Sequence, residues 1–241
     1  MTGAVLPDTT SRNLHVGCGH TRFAGWLNCD MHATESTDLV FDLMQPWPIV
    51  AGTQCQIYAS HVLEHLPDHY HFFREAWKAL VDDGLLYLRV PYGGHPAAWW
   101  DPTHLRPWFI ENFVYVQPGY GRSIGNPQNE GWQWPFRVEM VDVRVGEDIA
   151  KILRWLRFRC LRQRFFPWIR HFAVGIEELF VSLRALKSQE AVQRWIALNH
   201  PNVLRCQYVC WKHQYAGRVL PPGTDPELHV LGIGVQLNGY N

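Results

Sequence analysis

Five short apolar runs in the first 91 residues each stop on a glycine, an acid, a serine or a proline. No other feature narrows the possible folds as far. Asn13-Leu-His-Val-Gly-Cys18 runs into a glycine turn, and Trp26-Leu-Asn-Cys-Asp30 and Asp38-Leu-Val-Phe-Asp42 close on acids. Gln56-Ile-Tyr-Ala-Ser60 stops directly before His61, and Leu85-Leu-Tyr-Leu-Arg-Val90 is ended by Pro91. Runs of this length bounded by turn residues predict strands. Strands separated by crossovers predict an α/β protein, a parallel sheet covered on both faces. Asp68 caps a helix predicted through about Leu80, with Phe72, Phe73, Ala76 and Leu80 at helical spacing. One connection is unusual. Only six residues separate Gly19 from Trp26, too few for a covering helix. At ~3.3 Å each they still return along a short strand, so the first crossover is predicted to be a loop.

Further on, Phe136 to Val145 and Leu228 to Gln236 alternate like strands. Between them lies a stretch rich in arginine and aromatics, predicted helical from roughly 147 to 200. The organisation expected is a core over 1–146, a helical insertion over 147–216, and a segment over 217–241 that returns a strand to the sheet.

With 241 residues the chain buries a core of ordinary size. Its formal net charge of zero leaves no global field to recruit nucleic acid or membrane, so any such attraction is local. No signal-like segment or membrane-length apolar run stands out, and the six cysteines have no framework spacing. The expectation is a cytoplasmic protein with reduced thiols. Cys206-x-x-x-Cys210-x-x-His213 lacks a second ligand pair, so no zinc is expected there.

His61-Val-Leu-Glu64-His65 matches the His-x-x-Glu-His pattern of one class of zinc peptidases. That chemistry needs a long helix with both imidazoles on one face. Here an apolar strand leads straight into His61, and Pro67 stops any helix within two turns. The expectation is therefore no metal, and a place at the carboxyl end of a strand, where open α/β sheets put their ligand crevice. Gly17-Cys-Gly19 after the first strand lets a ligand approach the backbone. Asp30 ends the second strand, placed to accept from both hydroxyls of a ribose. Arg22 fills the third-glycine position of Gly-x-Gly-x-x-Gly, which disfavours a nicotinamide cofactor while still serving one nucleoside.

In order, the pieces are Leu14-His-Val-Gly-Cys-Gly19, Gly25-Trp-Leu-Asn-Cys-Asp30, Asp42-Leu-Met-Gln-Pro-Trp-Pro48, Ser60-His-Val-Leu-Glu-His-Leu66, Asp83-Gly-Leu-Leu and Asp101-Pro-Thr-His104. This run, over residues 13 to 116, resembles the class I S-adenosylmethionine-dependent methyltransferases, closest to small members with a short first crossover. The resemblance implies a Rossmann-like fold, a mostly parallel seven-stranded sheet with helices on both faces, here with a helical insertion before the last strand. It implies S-adenosyl-L-methionine as cofactor, held by Gly17, Cys18, Gly19, Asp30, Met31, Asp42, Leu43 and Ser60. His61 and His104 are the candidates for catalysis, with a satisfied buried histidine as the other reading of His61. Two positions depart from the pattern: His15 stands where many relatives carry an acid, and Thr21 where they often carry a glycine.

Methyl transfer is an in-line displacement that needs positioning, exclusion of water, and a base for a hydroxyl acceptor. The chain has Ser-His-Val-Leu where base-amino methylases of DNA carry an Asn/Asp-Pro-Pro-Tyr/Phe tetrapeptide, and it has no Pro-Cys pair. The acceptor expected by elimination is a hydroxyl of a saccharide, a lipid-linked precursor or another small molecule. Two alternatives stay open: an RNA- or DNA-modifying enzyme gripping through the basic insertion, and a cofactor-binding protein without catalysis. Seven cations from Lys151 to Arg170, with no acid among them, suggest contact with an anionic acceptor or membrane surface. A packed helix with its arginines paired to Glu177 and Glu178 is the plainer reading.

Overall fold

The computed structural model describes residues 11–118, 134–145 and 176–198. Seven strands form one sheet: β1 (Asn13–Val16), β2 (Leu27–Asp30), β3 (Leu39–Val40), β4 (Gln54–Ser60), β5 (Leu80–Pro91), β6 (Phe136–Val145) and β7 (Ile176–Ala185). Their order is β3-β2-β1-β4-β5-β7-β6. β1 to β5 pair in parallel, whereas β7 runs antiparallel to both β5 and β6. A mostly parallel seven-stranded sheet of this order, with one reversed strand, is the Rossmann-like class I methyltransferase fold.

Alternation along the strands builds two different layers. Leu14, Val16, Ile57, Ala59, Leu86, Leu88, Leu179 and Val181 face one way and pack under helix α1 (His69–Ala79). That helix contributes Phe72, Phe73, Ala76 and Ala79, and it starts where Asp68 accepts from the His71 amide. Tyr58, Tyr87 and Phe180 face the other way and meet Phe23 and Trp26, which come from the β1–β2 crossover. Two short α-helices, α2 (Ala97–Trp100) and α3 (Gln189–Leu198), and two 3₁₀ turns, Leu63–His65 and Ile110–Val116, complete the described elements.

The crossover is the loop that its length predicts, and Asn28 holds it together. Its buried Oδ1 accepts from the Phe23 amide at 2.9 Å, and its Nδ2 donates to the carbonyls of Phe23 and Trp26. Asp38 Oδ2 accepts from both the Asn28 amide and its Nδ2. A covering helix is thus replaced by one side-chain amide that satisfies the turn's backbone groups.

One expectation is corrected. Ile176–Ala185 lies inside the stretch predicted helical, yet it is the strand that joins β5 to β6. Ile176, Leu179, Phe180 and Leu183 fit helical spacing while Leu179, Val181, Leu183 and Ala185 alternate like a strand, and pairing on both sides decides for the strand. The remainder of the insertion, the cations of 151–170, the Cys206–His213 cluster and the strand expected at 228–236 lie outside the described residues. Among the described residues no helix is long and apolar enough to cross a membrane.

Candidate active site

The residues singled out above collect along the carboxyl edge of β1, β2 and β4. Gly17 and Gly19 both take left-handed backbone, with φ of 64° and 54°. A β-carbon on Gly17 would stand 2.3 Å from Val62 Cγ2, so the turn after β1 is pressed against the turn after β4. A β-carbon on Gly19 would meet nothing within 4 Å, so open space borders the backbone there. Asp30 is fixed by two amides: Gly19 N–H donates to Oδ2 at 2.8 Å and His32 N–H to Oδ1 at 3.0 Å. A carboxylate accepts about four hydrogen bonds, so lone pairs remain for two further donors.

Met31 beside Asp30 is exposed. Asp42 Oδ1 accepts from the Met44 amide, and the Leu43 carbonyl accepts from Trp47 Nε1. Of Pro46-Trp-Pro48 only Trp47 is buried, edge-on to Phe72 and with its amide donating to Glu75. The Cys18 thiol is buried among the Gly19 carbonyl, Ser36 and Thr37, and burial raises its pKa. Any contact it makes with a ligand runs through its backbone. His15 is buried too, stacked on Phe23 at 4.1 Å and donating through Nδ1 to Asn28 Oδ1. It belongs to the crossover's packing rather than to the open space.

Ser60 ends β4, and His61 follows in left-handed backbone with φ of 53°, a strained position for a residue with a β-carbon. Both of its ring nitrogens face carboxylates. Nδ1 lies 3.2 Å from Glu64 Oε1 and Nε2 3.3 Å from Glu178 Oε1. The Glu178 and Glu64 carboxylates beside it raise its pKa to about 9, so at neutral pH the ring carries a proton and is no base. Glu178 is also held by Arg89 at 2.6 Å and by Arg144, while Glu177 meets Arg144. These acids thus have partners on β5 and β6. The sequence reading named Glu178 only as a partner for the insertion's arginines. Its place beside His61 and Arg89 arises because the reversal of β7 brings its first residues beside the end of β5.

The second catalytic candidate comes from the loop after α2. His104 Nδ1 donates to the Ala98 carbonyl, and its ring meets that of His65 at 4.8 Å. His65 Nδ1 faces both the hydroxyl and the carbonyl of Thr103, at 3.0 and 3.3 Å. The structure groups His104 with Glu64 and His65, and Glu64 also faces His61. Of the tryptophans near this loop, Trp108 is buried against Phe113, whereas Trp99 and Trp100 are exposed.

No family model matches the chain, and no curated protein matches it. Among solved structures, it is similar to a SAM-dependent methyltransferase from Archaeoglobus fulgidus at 13% identity and a TM-score of 0.47, covering 72% of this chain and 85% of that one. A second, an S-adenosylmethionine-dependent methyltransferase from Mesorhizobium loti, has 16% identity and a TM-score of 0.42, covering 72% and 90%. A third comes from a complex of a Haloferax volcanii Trm112 methyltransferase activator with a putative methyltransferase. It has 14% identity and a TM-score of 0.44, covering 73% and 82%.

Proposed function

We propose that the chain is an S-adenosylmethionine-dependent methyltransferase. The observation that carries this is Asp30, held at the end of β2 by the Gly19 and His32 amides beside open space at Gly19. A carboxylate with spare lone pairs at that edge suits the two adjacent hydroxyls of a ribose. The Gly17–Gly19 turn would hold the methionine part, Met31, Asp42 and Leu43 would border the adenine, and Ser60 and His61 would floor the transfer. Bound there, the cofactor supplies a methyl group on a sulfonium, open to in-line attack.

The acceptor we favour is a hydroxyl of a saccharide, lipid-linked precursor or other small molecule. Such a hydroxyl passes its proton to solvent water as the new bond forms. His61, with both ring nitrogens held by Glu64 and Glu178, stiffens the turn after β4, against which an acceptor oxygen would rest. The rigid turn carrying it fixes that oxygen's position, which is where most of the rate would originate.

The test is calorimetry with S-adenosylmethionine and its demethylated product, followed by a screen of hydroxylated acceptors. Micromolar binding that Asp30→Ala weakens is the expected result, and absence of binding to either compound would refute the reading. His61→Gln should lower turnover more than cofactor affinity.

A further inference from the structure

Glu64, His65 and His104 each bring a ligand atom within 4.8 Å of the other two. They come from two segments that the fold clamps together, since the Leu105 amide donates to the Glu64 carbonyl at 2.7 Å. Glu64 is 1% exposed, and among the described residues neither of its carboxylate oxygens has a hydrogen-bond partner. The approach of His61 to Oε1 is an ion pair without hydrogen-bond alignment, and Oε2 has no such neighbour. A buried carboxylate left in this way is costly, and a cation against Oε2 removes the cost.

The two histidines are prepared for the same task. A carbonyl oxygen only accepts, so His104 Nδ1 must be the protonated nitrogen facing Ala98, and His65 Nδ1 the one facing Thr103. Each ring therefore keeps Nε2 as the nitrogen left to bind. Thr103 donates its own hydroxyl proton to Asp101 at 2.7 Å while it accepts from His65, an Asp–Thr–His relay. Outer partners of this kind fix the tautomer and orientation of metal-binding histidines. His104 Nε2 also lies 3.7 Å from Asp101 Oδ2, a further negative group facing the cluster.

We propose that Glu64, His65 and His104 form a binding site for a divalent transition-metal ion of the zinc type. Two imidazoles and one carboxylate suit borderline ions such as Zn²⁺ or Co²⁺ and are poor ligands for Mg²⁺ or Ca²⁺. Donors at about 2.1 Å from one ion stand about 3.4 Å apart in a tetrahedron, so side-chain rotation of roughly an ångström completes the site. This reverses the expectation that His61-Val-Leu-Glu-His65 holds no metal, and it does so without the peptidase arrangement: His61 is not a ligand, and the third donor comes from Asp101-Pro-Thr-His104. Three protein donors leave a position for water or a substrate oxygen. The site stands whether or not the chain transfers methyl groups.

The experiment is titration of chelator-treated protein with Zn²⁺ by calorimetry, and with Co²⁺ by visible absorption. The expected result is one ion per chain, Co²⁺ bands of a four- or five-coordinate site without a thiolate band, and no response to Mg²⁺. Glu64→Gln and His65→Ala should each weaken Zn²⁺ binding more than tenfold with circular dichroism unchanged. His104→Gln, in the loop after α2, reads the same site should a Glu64 variant fail to fold. Thr103→Val keeps all three ligands and should weaken binding by a smaller factor. Absence of stoichiometric Zn²⁺, parent-like affinity in the His104 variant, or a thiolate–cobalt band pointing to Cys206 and Cys210 would each overturn the proposal.

Discussion

His61 Nε2 and Glu178 Oε1 stand 3.3 Å apart, tying the turn after β4 to the first residues of the reversed strand. Arg89 and Arg144 share the same carboxylate, so one acid joins β4, β5, β6 and β7 at the rim. Replacing it leaves a half-buried guanidinium and an imidazole without their counter-charge. Glu178→Gln is expected to cost ~2–3 kcal/mol, less than a fully buried pair because Arg89 is partly solvated. An unchanged urea midpoint would show that the cluster contributes nothing to stability.

Asp30 has two functions that separate on mutation. Asp30→Ala loses both the backbone anchors and any ribose contact, and should weaken S-adenosylmethionine binding at least tenfold, since a charge-assisted contact is worth ~1.5–3 kcal/mol. Asp30→Asn keeps an oxygen for one amide, so it should retain more of the fold's stability than of the affinity. Equal affinity in parent and both variants, by calorimetry, would remove Asp30 from the cofactor site.

Gly17→Ala combines a left-handed backbone with a collision at Val62. The backbone strain costs ~1–2 kcal/mol and the overpacking ~1–3 kcal/mol. Adding Val62→Ala to that variant should restore the second part and not the first. A double variant no more stable than the single one would place the strain elsewhere.

His69 supplies the pH dependence. Burial, with Arg106 nearby, lowers its pKa to about 4, so the folded state holds the ring neutral where the unfolded chain takes up a proton near 6.5. Between those values the unfolded state binds more protons, so stability falls as pH drops from 6.5 to 4 and rises as pH increases. Allowing for its partial exposure, the loss is on the order of 1 kcal/mol. His69→Gln should flatten stability over that interval, and a parent-like slope in the variant would assign it to other groups.

Much of the first half of the chain was legible. Each of β1 to β5 is apolar and ends on a turn residue, and Asp68 announces α1; local chemistry sets these elements, so local reading finds them. Asn28 is different, because nothing in its neighbours reveals that it replaces a helix. Likewise β7 is ambiguous in isolation: its identity rests on neighbours at Leu85–Pro91 and Phe136–Val145, which no local pattern contains. The grouping of Glu64, His65 and His104 was invisible for the same reason. Glu64 and His65 are adjacent in sequence, but His104 joins them only through the clamp at Leu105.

The short crossover also bears on how the molecule comes to be folded. His15 and Asn28 are paired neighbours only thirteen residues apart, a brief closure for parallel strands. Closing so small a loop sacrifices little chain entropy, and contacts between residues near in sequence form early. Asn28 gives that closure its hydrogen bonds at once, without waiting for a distant helix to dock. The β1–β2 pair is thus expected to act as a nucleus, and Asn28→Ala to slow refolding rather than mainly hasten unfolding. The residues that would present Asp30 to a nucleoside would then be among the first to find their places.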